Sequence, residues 1–263
     1  MTDARLDVVL VRRGLARSRR EAHDLVGAGR VAVAGRTATK PGRPVADDAA
    51  IEVDRPAAEY VARSGRKLAG ALTAFGQDGL HVEGRRALDA GASTGGFTDV
   101  LLRAGAAEVH AVDVGYGQLA ASIRAHPAVR VHERTNVREL TPDALGGRVA
   151  LVVADLSFIS LTLVLPALAR CATPDADHAL LVKPQFEVGR QAVGGGVVRS
   201  PQLRADAVTA VAAAARECGL GVRGLVESDV QGAHGNVEYL LWLRAGAGLD
   251  IEAAVRETVL GGG

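Results

Sequence analysis

Apolar and polar positions alternate along most of the chain in a pattern that predicts strands and helices in turn. From residue 67 onward, short apolar runs typical of buried strands are separated by longer stretches with helical spacing. The predicted strands are 86–90, 108–114, 128–132, 149–154, 178–183, 221–227 and 237–243, and the predicted helices are 67–76, 95–105, 116–124, 160–171 and 202–217. Strands that alternate with helices form βαβ units, so this pattern predicts a mainly parallel sheet covered by helices on both faces.

The first part of the chain follows a different pattern, with two short helices and a small curled sheet. Leu6, Val9 and Leu10 share one face of the first predicted helix, and Ser18 is the predicted N-cap of the second. Strands are expected within 30–35 and 49–54. We therefore predict two domains and a connecting segment, with the limits 1–58 for the first domain, 59–67 for the linker and 68–263 for the second domain.

Basic residues are concentrated in this first region. Ten basic and three acidic side chains lie between Arg5 and Arg43, a net charge of +7, although the whole chain carries only +1. A compact basic segment attached to a mildly acidic body is typical of a nucleic-acid-binding appendage. A solvated charged face without a binding role is the alternative, and the charge count alone leaves it open.

Other features of the sequence argue against several classes of protein. Cys171 and Cys218 lack metal-ligand spacing, so we expect two reduced thiols and no metal site. The N-terminus has no apolar signal core, and the longest apolar stretch, 156–169, is too short to span a bilayer and contains a proline. We therefore expect a cytoplasmic protein that does not enter a membrane.

A glycine-rich turn follows the first strand of the larger domain and opens the next helix. Gly91, Gly95 and Gly96 allow a ligand to approach the backbone, but Ser93 replaces the middle glycine of the G-x-G-x-x-G dinucleotide fingerprint. Asp89, at the end of the strand, is awkward beside a pyrophosphate and suits a cationic ligand. The turn therefore favours S-adenosylmethionine, which carries a sulfonium and an amino group, over a nicotinamide cofactor.

Two further strand ends extend this predicted cofactor site. Asp113 follows the second strand, where an acidic side chain can take both ribose hydroxyls of a nucleoside cofactor. An aspartate on a surface loop is the alternative interpretation. Asn136 follows the third strand, and we expect it and its neighbours to border the adenine.

One of only three lysines in the chain lies at the end of a predicted strand, although the chain has 28 arginines. Arginine stays protonated in proteins, whereas a desolvated lysine can lose its proton near neutral pH and act as a base. This residue, Lys183, and Asp155 end neighbouring strands, so we expect both at the edge of the sheet where ligands bind. A rim salt bridge of little energetic consequence is the alternative.

Seven motifs resemble, in order and spacing, the TlyA family of ribosomal RNA methyltransferases, whose catalytic domain is FtsJ-like. The resemblance covers nearly the whole chain, and the motifs read DAGASTGGFTDVLL, VDVGYGQL, ERTNVR, ADLSFISL, VKPQFE, GGGVVRSP and GAHGNVEYL. The resemblance implies an α/β fold, a Rossmann-like class I adenosylmethionine-dependent methyltransferase with a small N-terminal α+β RNA-binding domain. It also implies methyl transfer from S-adenosylmethionine to ribose 2′-hydroxyls of cytidines in small-subunit rRNA, large-subunit rRNA or both.

The resemblance carries site residues with it. The family's Lys-Asp-Lys-Glu catalytic tetrad matches Lys67, Asp155, Lys183 and Glu238. The expected cofactor-binding residues are Asp89, Gly91, Ser93, Gly95, Gly96, Phe97, Thr98, Asp113, Asn136 and Asp155. In this interpretation Lys183 takes or steers the proton of the attacking hydroxyl, and the other three tetrad residues set its ionisation and orient the ribose.

The first fifty residues resemble the S-four-type RNA-binding module, through RLD, GLARSRREA, LVGAGRVAVAGR and KPG. Such modules lay the second helix and the following strand against structured RNA, which is recognised largely by shape and backbone. The implied phosphate contacts are Arg5, Arg17, Arg19, Arg20, Arg30 and Lys40. The expected partners are ribosomal RNA or ribosomal subunits, and we expect a monomer.

The chain departs from the family pattern in two places. The linker lacks a tryptophan seen in some relatives, and Asp229 and Ala233 stand where relatives often carry prolines. These changes bear on domain geometry and loop stiffness, and target breadth could depend on them. The alternative functions are a haemolysin-like membrane-acting protein, an RNA-binding protein without catalysis and a nicotinamide oxidoreductase.

Overall fold

The computed structural model describes residues 4–16, 18–46, 48–54, 60–189, 193 and 195–261. The chain divides into two units, Met1–Glu59 and Tyr60–Gly263. Part of the predicted linker 59–67 packs on the second unit. The Tyr60 ring lies 4.9 Å from the Arg103 guanidinium, and the Val61 N–H donates a 2.8 Å hydrogen bond to Asp99.

The first unit contains two helices and short antiparallel strands around one small core. Its elements are β1 (Ala4–Arg5), α1 (Leu6–Arg12), α2 (Arg19–Gly27), β2 (Val31–Val33), β3 (Arg36–Thr37), β4 (Pro44–Val45) and β5 (Ile51–Val53). The predicted N-cap of α2 is confirmed, because Ser18 Oγ accepts the Glu21 N–H at 3.2 Å. β2 pairs with β3 and β5, and the predicted apolar face of α1 packs in the core.

The second unit is built on a sheet of seven strands in the described part of the chain. Its strands are β6 (Arg86–Ala90), β7 (Glu108–Val112), β8 (Val129–His132), β9 (Val149–Ala154), β10 (Ala172–Val182), β11 (Leu220–Glu227) and β12 (Tyr239–Ala245). Their order across the sheet is β11-β12-β10-β9-β6-β7-β8, and β12 runs antiparallel to both of its neighbours. The predicted mainly parallel sheet is confirmed.

Helices cover both faces of this sheet, as the alternating pattern predicts. They are α3 (Gly65–Gly76), α4 (Gly96–Arg103), α5 (Ala121–Arg124), α6 (Leu165–Cys171), α7 (Pro184–Glu187), α8 (Pro201–Glu217) and α9 (Ile251–Thr258). On one face α3 and α4 pack on Ala87, Leu151 and Ala179. On the other face α6, α8 and α9 pack on the alternate strand positions, which include Leu88 and Val152. Successive side chains of a strand point to opposite faces, so each strand contributes to both cores.

The strand order places a topological switch between β6 and β9. The chain runs from β6 to β7 and β8 on one side, then crosses to β9 and β10 on the other. The carboxyl ends of these parallel strands meet at one edge, and the crevice at the switch is where such sheets bind ligands. Gly91 forms the turn after β6 with φ +88°, and a Cβ there would lie 2.6 Å from the Asp155 carbonyl oxygen.

Candidate active site

A cavity of about 510 Å³ opens at this switch point. Five of the predicted cofactor residues line its wall, namely Gly91, Ser93, Asp113, Asn136 and Asp155. Its volume lies within the range of small-molecule sites, about 300–1,000 Å³. The structure therefore brings together residues that follow four different strands, β6, β7, β8 and β9.

Asp113 is held by the backbone of the loops around it. Its Oδ2 accepts the Ser93 N–H at 2.8 Å, and its Oδ1 accepts the Gly115 N–H at 2.7 Å. Each carboxylate oxygen has two lone pairs, so both retain capacity for a further donor such as a hydroxyl. These bonds also explain why the helix predicted over 116–124 spans only Ala121–Arg124, because the preceding backbone donates to acidic side chains instead.

Asp89 lies behind the cavity wall and is fully buried. Thr98 Oγ1 donates to its Oδ2 at 2.6 Å, while its Oδ1 is buried without a hydrogen-bond partner in the described residues. Burial, followed by the charges of Asp155 and Asp113, raises the pKa of Asp89 to about 7. A carboxyl group in this position would be stabilised in its ionised form by a nearby cation.

The other predicted cofactor residues have packing roles in the structure. Phe97 and Thr98 are buried and do not line the cavity. A Cβ on Gly95 would lie 3.0 Å from Leu119, and one on Gly96 would lie 2.2 Å from Ser64 Oγ. These two glycines are therefore explained by close packing of α4, and their direct contact with a cofactor stays a prediction.

The first ion pair of the predicted tetrad joins Lys183 and Asp155. Lys183 Nζ lies 2.6 Å from Asp155 Oδ1 and donates a 3.0 Å hydrogen bond to Ser157 Oγ. The Asp155 contact lacks the alignment of a hydrogen bond, since its Oδ1 has no hydrogen-bond partner within the described chain. Both side chains are largely buried, at 9% and 14% exposed. The lysine is thus attracted to one group and hydrogen-bonded to another.

The second ion pair joins Lys67, on the first turn of α3, to Glu238 before β12. Lys67 Nζ donates to Glu238 Oε2 at 2.5 Å, and both side chains are buried. The other oxygen, Oε1, accepts a 3.1 Å bond from Gln185 Nε2. Gln185 is two residues after Lys183 on α7, so this bond links the two ion pairs. A Cβ on Gly232 would lie 2.0 Å from Glu238 Oε1, so a larger residue there would displace the Glu238 carboxylate.

Strand register explains why residues so distant in sequence meet at this edge. Val182 is paired with Tyr239, so Lys183 and Glu238 continue the β10–β12 ladder by one position. Leu180 is paired with Ala154, so Asp155 follows at a neighbouring strand end. The tetrad is therefore assembled from three adjacent strand termini and one helix.

The sequence prediction missed three residues that belong to this region. Ser157 and Gln185 contact the ion pairs, as described above. Phe158 is 91% exposed, has a left-handed backbone with φ +64°, and lies at the cavity rim with its ring tilted against that of Phe186, 5.2 Å between centroids. Its sequence signal was an aromatic residue directly after the strand end that carries Asp155, in a chain with only four phenylalanines.

The predicted RNA-binding residues of the first unit fall into two groups. Arg5 and Arg19 both contact the carboxylate of Asp7, whereas Arg20 and Arg30 line a shallow groove along α2. Lys40 is exposed in the segment before β4. Arg17 lies outside the described residues.

The fold and the site together define an α/β protein with a cavity at the topological switch and two buried lysine–carboxylate ion pairs near the same sheet edge. Residues 60–245 match the FtsJ-like methyltransferase family, and residues 4–51 match the S4 domain. The class is therefore an S4-domain protein with an FtsJ-like methyltransferase domain, as the resemblance implies. This match disagrees with the nicotinamide oxidoreductase alternative.

Individual relatives specify the family further. The 16S/23S rRNA (cytidine-2′-O)-methyltransferase TlyA of Mycobacterium tuberculosis is 60% identical over 92% of this chain and 90% of its own length. With that identity and the FtsJ-like match, the chain belongs to the TlyA family of FtsJ-like methyltransferases.

Some relatives carry a different name. Hemolysin A of Brachyspira hyodysenteriae is 36% identical over 90% of this chain and 98% of its own length. A solved structure of a Streptococcus thermophilus protein, provisionally titled a hemolysin, superposes with TM-score 0.75 at 39% identity over 99% of this chain and 95% of that one. Among the described residues, no helix is both long and apolar enough to cross a membrane.

Proposed function

We propose that this protein transfers a methyl group from S-adenosylmethionine to the ribose 2′-hydroxyl of a cytidine in small-subunit rRNA, large-subunit rRNA or both. The observation that carries the proposal is the arrangement of two buried ion pairs: Lys183–Asp155, whose aspartate lines the cavity, and Lys67–Glu238, which Gln185 links to it. They occupy the positions of the family's tetrad. The rRNA (cytidine-2′-O)-methyltransferase activity named for the Mycobacterium tuberculosis relative supports the same reaction.

The cavity fits S-adenosylmethionine in charge and size. Asp113 and Asp155 line it, and the orphaned Oδ1 of Asp89 lies behind its wall, so three carboxyl groups favour a cationic ligand. A pyrophosphate would be repelled by the same groups. When bound, the cofactor supplies a methyl group activated by a sulfonium.

Residues of the cavity would orient the cofactor. Asp113 would accept hydrogen bonds from the ribose hydroxyls through the lone pairs that Ser93 and Gly115 leave available. Gly91 gives the backbone its close turn at the cavity wall, and Asn136 borders the cavity on the β8 side. These roles would hold the reacting carbon in one place, which accounts for a large part of many rate enhancements.

Lys183 would manage the proton of the attacking hydroxyl. An alcohol has a pKa far above 7, so it must lose its proton as its oxygen attacks. Lys183 Nζ would take or steer this proton, held between Asp155 and Ser157. Lys67 and Glu238, kept in place by Gln185, would orient the ribose by hydrogen bonds.

Phe158 would stack on the base of the target nucleotide. It is the most exposed large hydrophobic side chain among the described residues, and its ring packs at a tilt against Phe186, whose ring centroid lies 5.9 Å from Lys183 Nζ. A ribose can reach a buried catalytic edge only if its nucleotide leaves the helical stack, and exposed aromatic rings stabilise such nucleotides.

The S4 domain would capture the RNA by its backbone. Arg5, Arg19, Arg20, Arg30 and Lys40 are the contacts we propose within the described residues, and Arg17 remains a further prediction. Phosphate contacts supply affinity without sequence specificity. Selection of the cytidine would therefore depend on the second unit.

Mass spectrometry of ribosomal RNA from cells with and without the protein tests this proposal. We expect one or two cytidine 2′-O-methyl marks to disappear on deletion and to return with the intact protein. Lys183→Ala should fail to restore them, while Lys40→Gln, which removes one of the other two lysines, should restore them at least in part. Full restoration by Lys183→Ala would overturn the role of the lysine, and unchanged marks on deletion would overturn the proposed reaction.

A further inference from the structure

A buried carboxylate underlies the basic surface of the first unit. Asp7, at the start of α1, is fully buried. Its Oδ1 accepts Arg5 Nε at 3.1 Å and the Val8 N–H at 3.0 Å. Its Oδ2 receives Arg5 Nη2 at 3.1 Å, Arg19 Nη2 at 2.8 Å and His23 Nε2 at 2.9 Å. Three side chains from different parts of the unit thus converge on one acid.

The three converging side chains remain half exposed on their outer side. Arg5, Arg19 and His23 are 52%, 61% and 50% exposed, and they come from β1, the first turn of α2 and its second turn. Each arginine uses Nε and one Nη on Asp7, which leaves three of its five N–H donors for another acceptor. Two permanent cations on one carboxylate also leave a net positive charge at the surface.

The energetics favour a fixed array over independent side chains. Burying a carboxylate costs free energy unless the charge is paired, so the ionised form of Asp7 depends on these partners. The hydrogen bond from Arg5, followed by those from Arg19 and His23, holds the pKa of Asp7 well below its usual range. The pairing therefore persists at neutral pH, and it restricts arginine side chains that would otherwise lose rotamer freedom on binding.

We propose that Asp7 is a positioning residue that holds Arg5, Arg19 and His23 together as a preformed site for one backbone phosphate of the RNA. The inference rests on the proposed capture of RNA by the S4 domain and extends it, because it adds an acidic residue and a histidine to the interface. A phosphate oxygen would accept the outward N–H groups of both arginines, while His23 donates its Nε2–H to Asp7 and helps to hold the carboxylate in place.

The direction in which one substitution changes RNA affinity separates this positioning role from a purely electrostatic effect. Asp7→Asn keeps an oxygen for the Val8 N–H and adds one positive charge to the domain. If only charge matters, RNA affinity should rise. If Asp7 positions the arginines, affinity should fall, roughly tenfold, because two long side chains must then be ordered on binding.

The binding of a fluorescently labelled RNA hairpin to the full-length chain provides the test, with far-ultraviolet circular dichroism as the check on folding. Asp24→Asn is the matched control, since Asp24 is an exposed acid on α2. We expect Asp24→Asn to bind as tightly as the wild type or more tightly. Affinity of Asp7→Asn equal to or above that of the wild type would overturn the inference.

Two further comparisons exclude a general structural defect. If Asp7 acts through Arg19, Asp7→Asn should have much less effect in an Arg19→Met background, whereas its effect should add to that of Arg20→Met. Equal additivity with both would overturn the positioning role. Arg19→Lys should also weaken binding several-fold, because an ammonium cannot reproduce the fork, while Arg36→Lys on β3 should not. This last comparison holds even if Asp7→Asn does not fold.

The failure of the inference and the failure of the proposed function give different results. If the wild-type chain does not bind RNA, the proposed capture by the S4 domain is wrong. If the wild type binds and Arg19→Lys binds equally well, capture stands and only the phosphate site at Asp7 is wrong.

Discussion

Two aspartates, Asp7 in the S4 domain and Asp89 in the methyltransferase domain, are both fully buried and have pKa values shifted in opposite directions. Asp7 has three donor side chains around it, and they hold its pKa below the usual range. Asp89 has one hydroxyl, from Thr98, and its carboxylate neighbours Asp155 and Asp113 add to the effect of burial, which raises its pKa to about 7.

The difference shows what each region still requires. Around Asp7, side chains of the domain itself already neutralise the carboxylate. The surplus positive charge of Arg5 and Arg19 therefore lies at the surface, where it can attract an anion. At the cavity, the carboxyl groups of Asp89, Asp113 and Asp155 are close together. Among the described cations, Lys183 is the one that pairs with this group, through Asp155. A buried aspartate therefore has opposite consequences in the two regions. The surface around Asp7 suits a phosphate, whereas the cavity in front of Asp89 suits a cationic cofactor.

The largest expected effect is on the methylation rate, when the cation next to Asp155, Lys183, is replaced by another cation. Lys183→Arg keeps a positive charge beside Asp155 but cannot give up its proton under ordinary conditions. We expect the methylation rate to fall by roughly a hundred- to ten-thousand-fold, with cofactor affinity changed much less. Incorporation of labelled methyl into rRNA measures the rate. A rate within a few-fold of the wild type would mean that charge alone suffices.

The next effect concerns Asp113, the carboxylate that we propose holds the cofactor ribose. Asp113→Ala removes the acceptor and frees the N–H groups of Ser93 and Gly115, so we expect the affinity for S-adenosylhomocysteine to fall roughly tenfold or more. Calorimetric titration measures it. Asp206→Ala, at an exposed position of α8 outside the cavity wall, is the control that should leave the affinity unchanged. Equal affinities for both variants would remove Asp113 from the cofactor site.

A smaller effect separates stacking from charge in RNA binding. Phe158→Ala should raise KM for RNA about tenfold, because base–aromatic stacking is worth about 1–3 kcal/mol, and its salt dependence should stay as in the wild type. Charge reversal of Arg20 should instead flatten the salt dependence. Phe158→Tyr retains a ring and should restore KM. Unaltered KM in Phe158→Ala would exclude the stacking role.

The smallest effect is on stability against acid, where two buried groups oppose each other. The folded pKa of Asp89, about 7, exceeds its ordinary 3.8, so its contribution is present at low pH and is lost as the pH rises through 7. Burial lowers the pKa of His178 to about 4, from an ordinary 6.5, so its contribution is lost as the pH falls from 6.5 to 4.

Single substitutions should reveal these opposed slopes. Relative to the wild type, Asp89→Asn should lose free energy of unfolding between pH 7 and pH 4, and His178→Leu should gain it over the same range. Urea unfolding of the methyltransferase domain at several pH values measures both. Parallel curves for the wild type and both variants would contradict the assigned pKa directions.

Much of the fold could be predicted because it depends on local patterns. The apolar runs gave six of the seven strands of the large sheet to within about two residues, and Ser18 marked the start of α2. β10 begins at Ala172 rather than 178, because it joins β9 through an irregular register between Ala172 and Asp177. The helix α9 was missed, although Asp250 caps it by accepting the N–H groups of Glu252 and Ala253.

The sequence predicted the strand-end positions of several candidate site residues, but it did not predict which of them form ion pairs and hydrogen bonds with each other. Strand-end positions identified Asp113, Asp155 and Lys183, because parallel strands end at a common edge. The pairing of Lys183 with Asp155 and of Lys67 with Glu238 depends on the register of β9, β10 and β12, which a single sequence does not specify. The link through Gln185 and the convergence on Asp7 depend on tertiary packing for the same reason.

A crystal structure of the protein with S-adenosylhomocysteine and a cytidine-containing RNA fragment tests the central claim most directly. We predict that the target nucleotide is turned out of its stack, with its 2′-oxygen about 3 Å from Lys183 Nζ and in line with the cofactor sulfur. A 2′-oxygen far from Lys183, or a lysine turned away from the cavity, would contradict the proposed chemistry.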